Sequence, residues 1–266
     1  MASLVTANRG PASGSHSMVI NAADRLIVAL DFNSAEKATR IVQELEGLVS
    51  LFKVGIELQL AEGMRPVDYL LSNNKKVFLD LKYNDIGETV ERAVHHAASI
   101  GVTFLTIHGN GPTVRAAVKG RGQHSELKLL SVTVLTNLDH FDLQDLGFHD
   151  MTVEELVLYR ARKALEAGCD GVIASGQEAA KIREVLGRKL LIVAPGIRPT
   201  GFPKQEQKRT STPGDAILSG ADYLVVGRYI TTDPHPRQAA ETVLRQMQEA
   251  YATLSSQSSI APIHVP

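Results

Sequence analysis

The sequence predicts a single-domain α/β protein, a closed (β/α)8 barrel of the TIM type. Three observations carry that expectation. Short apolar runs alternate with amphipathic segments eight times along the chain. The apolar runs are near-continuous, as strands buried on both faces of a parallel sheet must be. A repeated phrase (Gly101-Val-Thr, Gly168-Cys-Asp and Gly220-Ala-Asp) joins helix to strand, with glycine supplying the left-handed residue that ends each helix. An open doubly wound sheet is the alternative, weakened because no Gly-x-Gly-x-x-Gly turn follows the first strand.

Taken in order, Arg25–Asp31 reads as the first strand, with Ser34 as the N-cap of a helix to about Leu45. Leu51–Gly55 is the second, followed by a helix through Pro66 to Leu71. Val77–Lys82 is the third, with a helix from Glu88 to Ser99, and Phe104–His108 the fourth, with one from Pro112 to Lys119. Leu127–Thr136 holds the fifth strand, and a well-patterned helix spans Val153–Glu166. Gly171–Ala174, Leu190–Ala194 and Tyr223–Val226 complete the set. Helices over Glu178–Leu186, Pro213–Leu218 and Arg237–Tyr251 follow those three strands in turn. Residues 1–23, rich in Ser, Ala, Gly and Asn, read as a flexible leader, and 253–266 as a disordered tail, leaving 24–252 for the barrel.

Composition narrows the function. With 28 basic and 29 acidic residues the net charge is −1, so nothing global attracts nucleic acid or an acidic membrane. Cys169 is the only cysteine, which fits a reducing cytoplasm, and no apolar run approaches the ~20 residues that span a bilayer.

The most informative stretch is Val77-Phe-Leu-Asp-Leu-Lys-Tyr-Asn-Asp-Ile86. A side-chain period of two puts Phe78, Asp80 and Lys82 on one face and the aliphatic residues on the other. A lone Asp-x-Lys is commonly a strand-end salt bridge. Here Asp85 adds a third charge, and Lys53 interrupts Leu-Phe-Lys-Val-Gly inside a strand. An interior lysine costs several kcal/mol unless carboxylates pair it. In a barrel, Asp31, Lys53, Asp80, Lys82, His108 and Thr136 end strands at one mouth. Asp31 could equally cap a turn, and His108 could simply hydrogen-bond its neighbours.

An independent signal concerns anions. Strand seven runs into Pro195-Gly-Ile-Arg-Pro199 and strand eight into Val226-Gly-Arg228, where barrels often hold phosphate. The polar loop Gly201–Thr212, with Lys204-Gln-Glu-Gln-Lys-Arg209, is either a solvated loop or a lid.

Together, Asp80-x-Lys82-x-x-Asp85-Ile, Phe52-Lys-Val-Gly55, Pro195-Gly-Ile-Arg-Pro and Val226-Gly-Arg resemble orotidine 5′-phosphate decarboxylase of the bacterial type, over roughly Leu26 to Glu249. The resemblance implies a homodimeric barrel without cofactor or metal that converts orotidine 5′-phosphate to uridine 5′-phosphate. It implies that Lys82 is the proton donor, Asp80 lies beside the substrate carboxylate, and Lys53 links Asp80 to the ribose. It further implies that Asp31 contacts a ribose hydroxyl, Thr136 the pyrimidine, and Arg198, Gln207, Gly227 and Arg228 the phosphate and lid. Asp85 and Thr89 would be lent by the partner subunit. Gly87, Asn137 and Tyr229 depart from residues common in the family. Two rivals are a Mg2+-dependent 3-keto-gulonate 6-phosphate decarboxylase or hexulose phosphate synthase, which has a metal-ligating glutamate in place of Lys53, and a non-catalytic phosphate-binding barrel.

Overall fold

The computed structural model describes residues 21–108, 111–200 and 208–260, without the side chains of 258–260. The leader up to residue 20, the tail from 261 and the stretch 201–207 of the polar loop, Gln207 included, lie outside the described residues. Eight parallel strands close on themselves in sequence order, from β1 beside β2 round to β8 beside β1. The strands are β1 Leu26–Ala29, β2 Leu51–Gly55, β3 Lys76–Tyr83, β4 Phe104–Ile107, β5 Lys128–Val132, β6 Gly171–Ile173, β7 Leu191–Ala194 and β8 Tyr223–Val226.

Alternation along the strands divides the apolar core in two. Ile27, Ala29, Leu51, Phe78, Phe104, Leu130, Val193 and Val225 fill the barrel's interior. There Phe78 meets Phe104 edge-on at 5.9 Å between centroids, and Phe104 meets Tyr223 at 5.0 Å. The opposite faces, Val28, Phe52, Val54, Val77 and Leu79 among them, pack outward against the helices. Side chains therefore plug the interior, and the next inward-facing residues after Ala29, Leu51 and Phe78 must emerge at the strands' C-terminal end.

Helix ends follow local chemistry. Gly101 takes a left-handed conformation (φ 93°) after α4, Gly87–Ile100. Gly168 (φ 85°) and Gly220 (φ 101°) do the corresponding job after α7, Val153–Glu166, and α9, Pro213–Leu218. Ser34 does precede α1, Ala35–Glu44, but its side chain makes no capping hydrogen bond. Instead the Ala35 amide donates to Glu62 Oε1 at 3.1 Å. The single helix expected after β2 is two, α2 Ile56–Glu62 and α3 Arg65–Ser72, divided at Gly63 (φ 62°). Pro66 is accommodated in the first turn of α3, where its missing N–H is no loss. Between α4 and α5, Gly111–Arg121, the helices touch so closely that a Cβ on Gly120 would fall 2.2 Å from the Glu91 carbonyl oxygen.

Two short helices were not expected: α6, His140–Asp145, and α10, Arg228–Thr231. The first is started by a reciprocal capping box between Asp139 and Asp142. The remaining helices are α8, Gly176–Leu186, and α11, Pro236–Ile260. Within the expected leader, Ala22–Asp24 form a 3-10 turn capped by Asn21. Residues 253–260 of the expected tail continue α11. There Thr253 and Ser255 donate their hydroxyls to the carbonyls of Glu249 and Tyr251, four residues back. Ser-rich sequence is thus reconciled with helix by satisfying its hydroxyls within the same helix.

Candidate active site

β1, β2 and β3 run side by side, with Ala29 opposite Lys53 and Lys53 opposite Phe78. This register lines up four charges at the barrel mouth. Lys53 Nζ donates to Asp31 Oδ1 at 2.7 Å and lies 3.4 Å from Asp80 Oδ2. The other oxygen of Asp80, Oδ1, accepts from Lys82 Nζ at 2.8 Å. The row Asp31–Lys53–Asp80–Lys82 alternates in sign. Side-chain exposure is 52% and 31% at its ends, Asp31 and Lys82, but 10% and 14% at Lys53 and Asp80. The inner pair is therefore held dry while the ends face the opening.

Burial alone would push the Lys53 ammonium toward its neutral form. The carboxylates of Asp80 and Asp31 outweigh it, and the pKa is raised. Burial would likewise raise the Asp80 pKa, but Lys53, Lys82 and the Thr106 hydroxyl together hold it below the ordinary carboxylate value. Both groups stay charged at neutral pH because each supplies the other's counter-charge.

Lys82 has an unusual backbone. Its φ is +50°, in the left-handed region that non-glycine residues seldom occupy. The register between β3 and β4 breaks there, with Leu79 paired to Leu105 and Tyr83 to Ile107. The extra residues of β3 bulge around Lys82. In place of a ladder carbonyl, the Lys82 amide finds the Thr106 side chain, Oγ1, at 2.9 Å.

A cleft of about 580 Å³ opens over this row and reaches Thr136, Asn137, Arg198, Gly227 and Arg228. Arg198 follows Gly196 (φ 74°), and its backbone amide is anchored to the Ser211 carbonyl at 2.9 Å. Its guanidinium is largely buried and donates to the Ile197 carbonyl at 2.8 Å. Burial and then the charge of Arg228 push its pKa down. Two guanidinium groups crowded at one end of a cleft form a place where an anion relieves repulsion. Gly227 joins β8 to α10, and a Cβ there would make only ordinary contact, 3.6 Å from that of Ala29.

Other expected site residues lie elsewhere. Asp85 is exposed beyond the end of β3, its carboxylate accepting from the next amide, Ile86 N, at 2.6 Å. Neither it nor Thr89, in the first turn of α4, lines the cleft. His108 is half-buried and also outside the lining; burial first, then Arg160 and Lys82, push its pKa down.

Several contributors leave little mark in the sequence. Thr106 looks like any strand threonine, and only its period-two relation to Phe104 signals that it faces inward. Gly55 permits the Lys53–Asp31 contact, because a Cβ there would lie 3.1 Å from both Nζ and Oδ1. Within the charge run, the described residues Lys208 and Arg209 are anchored. Lys208 Nζ bridges Asp139 at 2.7 Å and Asp142 at 2.8 Å, holding the Asp139 pKa at about 2. Arg209 reaches Glu178 at 3.2 Å and the carbonyls of Val134 and Leu135 at 3.0 and 3.1 Å. Together they tie the far end of the polar loop to the segment carrying Thr136 and Asn137. Among the described residues, no group of three or more His, Cys, Asp or Glu is placed to hold a metal ion, and no helix is long and apolar enough to cross a membrane.

Comparison with known proteins gives the chain's relatives. The model of the Orotidine 5'-phosphate decarboxylase / HUMPS family matches residues 24–243. The orotidine 5'-phosphate decarboxylase of Nitrobacter winogradskyi is 48% identical over 238 residues, covering 90% of this chain and 98% of that protein. That of Methylococcus capsulatus is 46% identical over 235 residues, covering 88% and 96%. Among solved structures, the orotidine 5'-phosphate decarboxylase of Lactobacillus acidophilus superposes with a TM-score of 0.74 at 35% identity, covering 84% of this chain and 99% of that one. An uncharacterized conserved protein from Geobacillus kaustophilus gives 0.72 at 32% identity, with the same coverage. The chain spans nearly the whole length of these relatives, and it belongs to the orotidine 5'-phosphate decarboxylase / HUMPS family.

Proposed function

We propose that this protein decarboxylates orotidine 5′-phosphate to uridine 5′-phosphate, the last step in making the pyrimidine nucleotide. The observation that carries this reading is the alternating row Asp31–Lys53–Asp80–Lys82 in the same cleft as Arg198 and Arg228. One end of the cleft suits a phosphate and the other a reaction that creates negative charge on carbon.

The bond between C6 and the carboxylate breaks heterolytically, CO2 departs, and the electron pair stays at C6. The Lys82 ammonium stabilises that pair and delivers a proton to it, forming the C6–H bond, and then regains a proton from solvent. Asp80, kept ionised by two lysines, meets the substrate carboxylate with like charge. That repulsion is relieved as CO2 leaves, so the contact favours the transition state over the bound substrate. Lys53 holds Asp80 in place and, with Asp31, faces the ribose hydroxyls. Thr136 meets the pyrimidine, and Arg198, Gly227 and Arg228 take the phosphate, with Gln207 from the loop. Asp85 and Thr89, turned away from their own cleft, serve a second copy in a homodimer with shared sites. The setting is the cytoplasm, and no metal or other cofactor takes part.

Lys53 also separates this reading from the Mg2+-dependent members of the wider family. An ammonium paired to Asp80 occupies the ground where a divalent cation would need a carboxylate. The test is the fall in ultraviolet absorbance of orotidine 5′-phosphate, with and without exhaustive EDTA. Turnover unaffected by chelation is expected. Activity lost to EDTA and restored by Mg2+ would move the protein to the rival chemistry.

A further inference from the structure

We propose that Thr106 is a positioning residue, whose hydroxyl fixes Asp80 and the left-handed backbone of Lys82 in a single geometry. It rests on the decarboxylase reading only for the reaction used to measure it. Thr106 is fully buried at the inward face of β4. Its Oγ1 donates to Asp80 Oδ1 at 2.9 Å and accepts from the Lys82 amide at 2.9 Å. The same Asp80 oxygen accepts from Lys82 Nζ at 2.8 Å. Hydroxyl, carboxylate and lysine thus close a ring: backbone of Lys82 to Thr106, Thr106 to Asp80, Asp80 to the lysine's own ammonium.

The ring has a physical reason. A buried strand threonine ordinarily satisfies its hydroxyl on a neighbouring backbone carbonyl. Here both partners belong to β3, and both belong to the charge row. The amide of Lys82 needs an acceptor because the register break removes the ladder carbonyl it would otherwise use. A left-handed lysine is strained and persists only where its surroundings fix it. Threonine suits the task, since its branched Cβ restricts χ1 and holds both hydrogen bonds in one rotamer. With the ring closed, Nζ is aimed by its own backbone and does not swing on a free four-carbon stem.

The test compares Thr106→Val, which keeps the shape and removes the hydroxyl, with Thr106→Ser, which keeps the hydroxyl. Thr106→Val should lower kcat by about tenfold to a hundredfold, the loss expected when a hydrogen bond to a charged group is removed. KM should stay within about threefold, because the phosphate grip is elsewhere in the cleft, and Thr106→Ser should restore kcat to within about threefold of wild type. Crystal structures of wild type and Thr106→Val give a readout independent of turnover. Lys82 should leave the left-handed region in the valine variant, or its Nζ should move beyond about 4 Å from Asp80. Should Thr106→Val not fold, Thr106→Ala takes its place. Unchanged kcat, a loss confined to KM, equal losses in the serine and valine variants, or an unmoved Lys82 would each overturn the proposal. So would failure of both the valine and alanine variants to fold, since the hydroxyl would then be holding up the barrel. A wild-type protein that leaves orotidine 5′-phosphate untouched would instead sink the functional reading, and the crystal comparison would still judge Thr106.

Discussion

Gly55 is matched to Lys53: a Cβ at position 55 would lie 3.1 Å from the lysine Nζ and 3.1 Å from its partner, Asp31 Oδ1. The φ of Gly55 is −99°, an ordinary value, so the glycine is there for space and not for backbone freedom. Gly55→Ala should fold normally and lose about tenfold in kcat/KM, as the methyl shifts the ammonium by a few tenths of an ångström against its two carboxylates. Comparing thermal midpoints with kinetics checks this. A variant as active as wild type would mean that the row tolerates displacement.

Arg228 opens α10 at the arginine end of the cleft. Arg228→Ala should cut kcat/KM on orotidine 5′-phosphate by about a hundredfold. Turnover of the unphosphorylated nucleoside should hardly change. Parallel assays on both substrates decide it, because equal losses would make Arg228 a structural or base-contacting residue.

Asp85 bears on subunit sharing. Lys82→Ala and Asp85→Asn homodimers should each be nearly inactive. Unfolded and refolded together in equal amounts, half the dimers are mixed, and each mixed dimer has one site with both defects and one with neither. Activity should return to about a quarter of wild type. If both variants dimerise and the mixture stays inactive, Asp85 acts within its own subunit.

The charge row also sets a pH dependence. The folded pKa of Asp80 is depressed, so its contribution to stability is complete above the unfolded value of about 3.9 and is lost as pH falls through the folded one. Lys53 is shifted upward, so its contribution is complete below about 10.4 and is lost as pH rises through its folded value. The urea midpoint of wild type should exceed that of Asp80→Asn at pH 7, and the gap should begin to shrink below about pH 4, as the unfolded state takes up a proton that folded Asp80 still resists. A gap that stays constant with pH would show that Asp80 is not ionised in the folded protein.

Cys169 is buried and donates its S–H to the Leu129 carbonyl at 3.0 Å, and burial pushes the thiol up to about 12. At pH 8 only about one molecule in ten thousand then carries the thiolate. Mass spectrometry after iodoacetamide treatment should show no alkylation of the folded protein and full alkylation in urea. Rapid modification of the native protein would refute this.

Much of this molecule was legible in its sequence because burial on both faces leaves a plain trace. Leu51–Gly55, Tyr223–Val226 and the helices Val153–Glu166 and Pro213–Leu218 begin and end where expected. Lys53, Asp80 and Lys82 were readable for the opposite reason, each being a charge out of place in its apolar strand, whereas Asp31, beyond the end of β1, read equally well as a turn cap. The short α6 and α10 carry too few turns to show an apolar stripe, and Gly63 cuts a pattern that otherwise reads as one helix. Residues 253–260 lack apolar periodicity, yet they continue α11, where the hydroxyls of Thr253, Ser255 and Ser256 donate to carbonyls of the same helix. The left-handed Lys82 had no local marker, since no glycine or asparagine stands at that position. Its cause is Thr106, which is twenty-four residues away in the chain and beside it only once the barrel has closed.

That left-handed lysine sets thermal selection against catalytic selection. At a φ of +50° the backbone would favour glycine or asparagine by about 1–2 kcal/mol, but Lys82 is also one of the two ammonium groups that keep the buried Asp80 ionised. A laboratory population sorted only for surviving heat should therefore lose lysine at position 82 together with the Asp80 carboxylate, and accumulate robust but inert barrels. Lysine persists there only under selection for turnover.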